Sequence, residues 1–547
     1  MIDTIKEQFK KVPRYVWILL AIIALGTFLR AYHLNDWLDF GDDQVHDAAL
    51  VESVVTGETS WPLLGPDMSK SGNGQEGNSR ANRFHIGPIY YYFQIVSAKI
   101  FGMNPGSLAY PDFLFSVLSI PLFYFFFTRY FGINLSLLLT GIYAISFYSL
   151  KFSHSAWNPN IIPFFALLFL LSLWKFLTDK EKISWAWAVF LGIALGVGIQ
   201  LHAILLILFP ATIMAVFLYL LKNKGIAWKK WSVVFLLVVV FNLGQVFSEL
   251  ETNFANSKAF ISTVKGGDAG SGKYMMINFM QDAECHIQAN LHIASSLGDK
   301  KDCSFYITNL TSGNKIKSQL KKIGDPWVFS GIVLAIIFSV YGYGLIVSRF
   351  RKEKDEAKRY FLGLILLYVS LSFLVLLPVI SSALRYFVHV IFVPFIFIGL
   401  IVEWLIIKYP VRYHWIAGLL LAGIAVLNIS AIYPVYKEFA ENRRNTPREK
   451  IVVGESRAIV DFIIANSSTQ REAYLQTSAR TKNFSKPLNY LAMEKDFNLV
   501  IRRNDNDIPA DKNIFYVVLH QDSTNYDKDK INIYKNFGQV DVYKLER

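Results

Sequence analysis

Eleven long apolar runs constrain the fold of this 547-residue chain more than any other feature of its sequence. A helix that crosses a bilayer needs about 20 mostly apolar residues. The runs lie near residues 15–31, 112–129, 133–150, 160–177, 184–200, 203–221, 231–248, 326–348, 360–378, 384–405 and 414–434. Charged residues make up only 18% of the chain, against about 25% in soluble domains. We therefore predict a polytopic α-helical membrane protein.

Basic residues give these spans one consistent orientation. Cytoplasmic connections carry an excess of Lys and Arg, and here alternate connections are basic, near residues 129, 175–182, 222–230, 349–359 and 408–412. The N-terminus is then predicted to be cytoplasmic, and residues 32–111, 249–325 and 435–547 to lie outside. Topology and anionic headgroups account for the net charge of +13 better than nucleic-acid binding does.

The segment 85–101, HIGPIYYYFQIVSAKIF, is apolar but short. Counting it as a span would invert every later loop, so we predict a helix lying in the outer interface with its tyrosines at headgroup level. Residues 1–434 form the predicted transmembrane module. Beyond it the composition becomes that of a soluble domain, and strand-like runs at 451–453, 514–519 and 540–543 with a helical run at 457–464 predict a small extracytoplasmic α/β domain over 435–547.

An acid-rich stretch, LDFGDDQVHDAALV, follows the first span at residues 38–51. Asp42 and Asp43 are adjacent, and in a helix their side chains diverge by about 100°. One carboxylate could therefore face a pocket as a general base for a hydroxyl acceptor. In the alternative interpretation, Asp39, Asp42 and Asp43 cap the first turn of an interfacial helix. Residue types alone leave both interpretations open.

Other polar residues stand at outer span ends. The loop SHSAWNPN, residues 153–160, offers Asn158, or it is an Asn-Pro turn that only joins two spans. His202 is a candidate ligand or a hydrogen-bonded interface residue. Arg385 precedes Tyr386 at the tenth span, where its planar fork suits phosphate. Snorkelling to outer headgroups is the alternative for Arg385.

Two further chemical possibilities stay open. Cys285 and Cys303 are close enough in sequence to pair in an oxidising compartment, and two free thiols are equally compatible with the sequence. No close Cys or His spacing typical of a metal site appears. Carboxylates at Asp42, Asp43, Glu249 or Glu251 could hold a divalent cation, but the sequence does not require one.

The order of these motifs resembles the membrane glycosyltransferases of the GT-C fold. The resemblance covers residues 15–434 and is carried by the first span, the Asp-Asp pair that opens a large loop, HIGPIYYY, a span ending in RYFG, and a late Arg-Tyr. The closest branch is similar to the bacterial protein O-mannosyltransferases and aminoarabinose transferases. The resemblance implies sugar transfer from a polyprenyl-phosphate donor to an acceptor hydroxyl on a protein, lipid or polysaccharide, at the outer face and with inversion.

The resemblance also implies residue roles. Asp42 matches the base that deprotonates the acceptor, and Asp43 matches a supporting carboxylate. Arg385, with Tyr386, and His85 match positions beside the donor phosphate. The other predicted substrate-binding residues are His46, Tyr90, Asn158 and His202.

A transporter or lipid flippase is the competing interpretation, and a membrane scaffold is a third. Transporters typically show paired half-sequences with broken helices and acids in mid-span. This chain shows no internal repeat, and its acids cluster at one predicted surface, so the sequence favours an enzyme. Two positions depart from the family pattern, because Asp-Asp replaces the usual Asp-Glu and Asn158 stands where several relatives have an acid.

Overall fold

The computed structural model describes residues 12–68, 84–179, 182–223, 225–265, 272–297, 303–311, 322–377, 383–408, 413–441, 451–467, 471–502, 513–525 and 531–545. Seven of the described helices are long and apolar enough to cross a membrane. They are Arg14–Ala31, Pro105–Phe127, Asn158–Asp179, Ala203–Asn223, Pro326–Lys352, Glu356–Leu376 and Trp415–Ala440.

Bent helix pairs and one shorter apolar helix account for the remaining apolar runs. The pairs are Ile133–Ala144 with Phe147–His154 (47°), Trp228–Phe241 with Leu243–Glu251 (59°), and Leu384–Val390 with Val393–Lys408 (59°), and the shorter helix is Trp185–Gly198. By length and composition the described residues give seven crossings, or up to ten if each pair crosses once. Each predicted run coincides with one of these elements, so the polytopic helical fold is confirmed.

Among the described residues, five further α-helices lie between the spans. Three recur below, and we call them the acidic helix, Asp42–Val55, the tyrosine helix, Ile89–Phe101, and the cystine helix, Gly272–Ser295. The other two are Ala255–Lys265 and Tyr306–Thr311. The tyrosine helix begins only after Pro88, its N-cap residue, because proline fits a helix start but not a helix interior.

Arg30 lies in the last turn of the first span and is fully buried. Its guanidinium donates hydrogen bonds to Ser116 Oγ (2.8 Å), to the carbonyls of Gly26 and Ala144 (3.0 Å each) and to Ser149 Oγ (2.9 Å). A buried charge is tolerated only when it is hydrogen-bonded in this way. Because Ala144 and Ser149 flank the break in the third apolar run, Arg30 holds that bend and so positions the loop that follows it.

The cystine helix is packed among the spans, although it belongs to the stretch 249–325 that the sequence predicts to be an external loop. Buried polar side chains recur at every fourth residue and therefore share one face of the helix, namely Asn278, Asp282, His286 and Asn290. His286 Nε2 lies 2.5 Å from Tyr343 Oη, and Asn290 donates to Ser339 Oγ at 3.2 Å. Cys285 and Cys303 form a disulfide, so the paired alternative is the one present.

A small α/β domain follows the last span. The strands among the described residues are β1 (Asp39–Phe40), β2 (Ile451–Val452), β3 (Glu472–Thr477), β4 (Asn498–Ile501), β5 (Ile514–Leu519), β6 (Ile531–Asn536) and β7 (Val540–Leu545). In this domain β3–β7 form a sheet of order β4-β3-β5-β7-β6, in which β3 is parallel to β4 and β5, and β7 is antiparallel to β5 and β6. Helices Val453–Ala465 and Ser485–Met493 pack on this sheet.

One of the predicted strands, β2, pairs with a strand outside the C-terminal domain. β2 does not join the five-stranded sheet but pairs antiparallel with β1, in the register Asp39 with Val452 and Phe40 with Ile451. Hydrophobic residues of the acidic helix and of the C-terminal domain then form one continuous core. The domain is therefore seated on the segment that carries the acid pair.

Candidate active site

The acidic helix begins at the predicted acid pair. Gly41 is its N-cap residue, and the Gln44 side chain accepts a hydrogen bond from the Gly41 N–H at 3.1 Å. Asp42 and Asp43 occupy the first turn, where the helix dipole stabilises negative charge. Asp39 lies in β1, so it does not take part in the first turn as the capping alternative requires.

The two adjacent carboxylates have different surroundings. Asp42 is half-buried, and its Oδ2 accepts a hydrogen bond from Lys486 Nζ at 2.9 Å. Its Oδ1 is covered, and no described residue donates a hydrogen bond to it. Asp43 is exposed. The side chains thus diverge as predicted, and Asp42 is the one held against the protein.

His46 and Asp47 continue the polar surface of the acidic helix. Asp47 is buried, and its Oδ1 accepts a hydrogen bond from Tyr91 at 3.0 Å and lies 3.7 Å from His46 Nδ1. Burial raises the pKa of Asp47, and the polar contact with the Asp47 carboxylate raises the pKa of the His46 imidazole. His46 is thereby inclined to carry positive charge beside the acid pair.

The helix pair that ends at His154 is joined to the span that begins at Asn158. We call this junction, residues 152–161, the central loop, and it contacts the acidic helix. Gln44 Nε2 donates to the Ala156 carbonyl at 3.3 Å, and Asp39 forms an isolated parallel bridge with Ser155. The acid pair is therefore positioned by the backbone of the central loop and not only by its own helix.

Asp112 supports the central loop from within the second span. It is fully buried, its Oδ2 accepts a hydrogen bond from Tyr90 at 2.8 Å, and its Oδ1 accepts one from the Trp157 N–H at 3.3 Å. The sequence analysis did not single out this residue. An acid at the start of an apolar run is the signal that could have found it, because such a charge is costly unless it is used.

Arg385, from a much later part of the chain, contacts the central loop. Its Cζ lies 5.4 Å from the centroid of the Trp157 ring and 5.6 Å from that of Tyr386. Cation–π contacts of this kind hold a guanidinium in place while its N–H edge stays available for an anion. Arg385 is exposed, as an anion site requires.

His202 and Asn158 complete the group around Arg385. Asn158 Nδ2 donates to the Leu201 carbonyl at 2.5 Å, and the His202 ring lies 5.7 Å from the Tyr386 ring. Burial, and then the positive charge of Arg385, lower the pKa of His202 to about 4. His202 is therefore neutral at pH 7 and does not add a positive charge beside Arg385.

His85 is held at the same end of the bundle by other contacts. Its Nδ1 lies 2.9 Å from the Gly65 carbonyl, and its backbone N–H donates to Asn256 Oδ1 at 2.6 Å. Two residues later the chain passes directly over Gln200, because a Cβ added to Gly87 would lie only 2.1 Å from Gln200 Oε1. His85 is thus connected to the residues around Arg385 through Gly87 and Gln200, which stands two residues before His202.

His154 is the residue of the central loop whose contacts best fit a purely structural role. Its Nε2 lies 3.2 Å from the Tyr32 carbonyl, its Nδ1 lies 3.2 Å from Ser153 Oγ, and its ring packs against Phe439. Both ring nitrogens therefore have partners inside the protein.

No three His, Cys, Asp or Glu side chains lie close enough to hold a metal ion among the residues that the structure describes. Glu249, one of the carboxylates considered from the sequence, instead accepts a hydrogen bond from Ser257 at 2.7 Å. A divalent cation at Asp42 and Asp43 stays a prediction.

An apolar cavity of about 580 Å³ opens next to Arg385 in sequence, at Leu384. The cystine helix, the start of the span Pro326–Lys352, and the segment after the disulfide enclose it, with lining side chains that include Leu291, Tyr306 and Val328. A cavity of this size and lining suits a lipid chain.

Comparison with solved structures identifies the fold. ArnT from Cupriavidus metallidurans is similar both in its crystal structure bound to undecaprenyl phosphate (TM-score 0.51, 12% identity, 97% of this chain and 98% of that chain) and in its apo state (TM-score 0.52, 12% identity, 97% of each chain). The Archaeoglobus fulgidus oligosaccharyltransferase, in complex with zinc and sulfate, is also similar (TM-score 0.51, 13% identity, 92% of this chain and 68% of that chain). The chain has the GT-C fold. The resemblance to GT-C proteins drawn from the sequence is thereby confirmed.

Part of this GT-C chain also matches a family model. Residues 85–246 match the family described as dolichyl-phosphate-mannose-protein mannosyltransferase. The match includes His85, Tyr90, Asn158 and His202, whereas Asp42 and the arginine at 385 lie outside it. Comparison with curated protein sequences gives no match.

Proposed function

We propose that this GT-C protein is an integral membrane glycosyltransferase that moves a sugar from a polyprenyl-phosphate donor to an acceptor hydroxyl, with inversion at the anomeric carbon. One observation carries the proposal. The central loop contacts the acidic helix through Ala156 and the Arg385 guanidinium through Trp157, and these two residues are adjacent in sequence. The helix that carries Asp42 and the proposed phosphate-binding cation thus contact the same short loop.

The chemistry needs few parts. Asp42 accepts the proton of the acceptor hydroxyl, and the hydroxyl oxygen bonds to the anomeric carbon as the bond from that carbon to the phosphate oxygen breaks. The electron pair leaves with the polyprenyl phosphate, whose added negative charge Arg385 stabilises. Asp43 supports the base, and His85 and Tyr386 lie on the donor side.

The remaining predicted residues shape the site. Tyr90 donates its hydrogen bond to Asp112, and Asn158 donates one to the Leu201 carbonyl, so their role is to position the central loop. His46 and His202 are left to contact the sugar or the acceptor. The 580 Å³ cavity at Leu384 receives the first isoprene units of the donor, the same class of lipid that the ArnT structure binds.

The proposal requires the site to face the outside. Its topology has the N-terminus in the cytoplasm, with the domain over 435–547 and the acidic helix beyond the bilayer. Single cysteines placed at 43 and 385, in a background with Cys285 and Cys303 replaced by Ala, should both be labelled by an impermeant maleimide in intact cells. Labelling from opposite sides would contradict the proposed reaction.

The direct test is transfer of radiolabelled sugars from a panel of polyprenyl-phosphate donors by purified protein. Asp42→Asn should lower kcat by about 10²-fold or more, since general-base catalysis contributes roughly 10²–10⁴-fold. Glu249→Gln, which removes a carboxylate bound to Ser257, should leave turnover unchanged. Equal turnover by wild type and Asp42→Asn would remove Asp42 as base. Absence of turnover with every donor, together with substrate flux in proteoliposomes, would favour a transporter.

A further inference from the structure

Lys486 links the C-terminal domain to the acid pair. It lies at the start of the helix Ser485–Met493, and its Nζ is 2.9 Å from Asp42 Oδ2. The two residues are 444 positions apart in sequence. The domain therefore contacts the very carboxylate to which the proposed reaction assigns the proton.

This contact is held by rigid docking around it. Besides the pairing of β1 with β2, the Gly454 N–H donates to the Asp36 carbonyl at 2.7 Å, and the Arg457 guanidinium lies 3.7 Å from Asp36 Oδ1. The Phe40 and Tyr490 rings pack with centroids 5.7 Å apart. The lysine is thus presented from a fixed surface and not from a freely moving domain.

The ion pair itself contributes little to folding. The side chain of Lys486 is 60% exposed and that of Asp42 43% exposed, and exposed ion pairs add little to stability. The effect of this pair is on geometry. Asp42 Oδ1 is covered by the protein, so Oδ2 is the oxygen that a substrate can reach, and the ammonium fixes its orientation.

We propose that Lys486 is a positioning residue that fixes the Asp42 carboxylate, so that the C-terminal domain forms part of the active site. The inference rests on the proposed function, in which Asp42 is the base. An acceptor hydroxyl then approaches Oδ2, which has a second lone pair beside the one that the ammonium uses. Small displacements of such a group are costly, since about 1 Å can lower the rate by 10²-fold.

The test compares Lys486→Met, which removes the ammonium and keeps the length, with Lys486→Arg, which keeps the charge. We expect Lys486→Met to lower kcat about tenfold or more with the donor KM changed less than twofold, and Lys486→Arg to restore most of kcat. Arg457→Met is the matched control, because it removes a docking ion pair between the same domain and the same segment without touching Asp42, and it should retain kcat. Wild-type kcat in Lys486→Met, or an equal loss in Arg457→Met, would overturn the proposal.

A second readout does not depend on turnover. Carbodiimide labelling of Asp42, measured by mass spectrometry in detergent, should rise severalfold in Lys486→Met and not in Arg457→Met, because only the first frees Oδ2. Unchanged labelling would overturn the positioning role. If the wild type transferred no sugar at all, the proposed function would fail, and raised labelling would still support the contact between Lys486 and the carboxylate.

Discussion

Trp157 contacts two charged side chains, that of Asp112 through its backbone and that of Arg385 through its ring. Its backbone N–H binds the buried Asp112 carboxylate, and its ring lies under the Arg385 guanidinium. A change at Asp112 therefore reaches the proposed phosphate-binding cation through one residue.

We predict that Asp112→Ala raises the donor KM and lowers stability. The substitution leaves the Tyr90 hydroxyl and the Trp157 N–H buried without their acceptor, at about 1–3 kcal/mol each. Melting temperature and donor KM in detergent measure the two effects. Asp179→Ala, which breaks the partly exposed contacts with Lys175 and Thr178, should change neither by much. A normal donor KM in Asp112→Ala would show that Arg385 does not depend on the loop.

His202 gives a pH dependence of known sign. Its pKa of about 4 in the folded protein lies below the unfolded value of about 6.5, so the unfolded chain binds the proton more tightly. Its neutral form favours folding above pH 6.5, and stability is lost as pH falls from there towards 4. As the pH is lowered across this window, the melting temperature of His202→Gln should therefore fall less than that of the wild type.

His46 supplies a control of opposite sign. Its pKa is raised by the polar contact with the Asp47 carboxylate, so its contribution is present at pH below about 6.5 and is lost as pH rises through the folded pKa. His46→Gln should cost stability mainly at low pH, and only slightly because the side chain is 74% exposed. Melting curves of the two variants that run parallel from pH 7 to pH 4.5 would refute both assignments.

Among the elements, the segment that follows the disulfide is fixed to the cystine helix at several points. Gln288 makes two hydrogen bonds to the Ser304 backbone, at 2.6 and 3.0 Å, and the Glu284 carboxylate accepts three from Ile307 and Thr308. Ser304 and Tyr306 line the apolar cavity. The disulfide thus closes a cavity wall as well as a loop.

We predict that replacing both Cys285 and Cys303 by Ala lowers the melting temperature and raises the donor KM. The bond joins residues 18 apart, and a loop of this size corresponds to about 3 kcal/mol of stabilisation. Reductant should produce the same loss in the wild type and no further loss in the double variant. Melting of the wild type that is indifferent to reductant would contradict the prediction.

The elements also show what sequence patterns can and cannot predict. The apolar runs follow from local composition and are predicted, and a helix beginning at the acid pair is one of the two interpretations that the sequence leaves open. Asp112, at the start of an apolar run, has a local signal that was not used. Lys486 has none, because its importance depends on a partner that a distant part of the chain supplies. The burial of the cystine helix was missed because its polar stripe resembles a solvated face.

At the scale of the whole molecule, the sequence predicts a membrane bundle followed by a small α/β domain, and the structure has both. It does not predict that β2 leaves its own domain to pair with β1. Two-residue strands give almost no local signal, and pairing across such a distance depends on tertiary packing. The proposed site therefore contains a part, Lys486, that no local pattern assigns to it.

The pairing of β1 with β2 also sets the order in which the molecule becomes competent. β1 is synthesised near the beginning of the chain and β2 more than four hundred residues later. A nascent chain therefore contains Asp42 long before it contains Lys486. Under the proposed function, the site is complete only when the C-terminal domain has been synthesised and has paired β2 with β1.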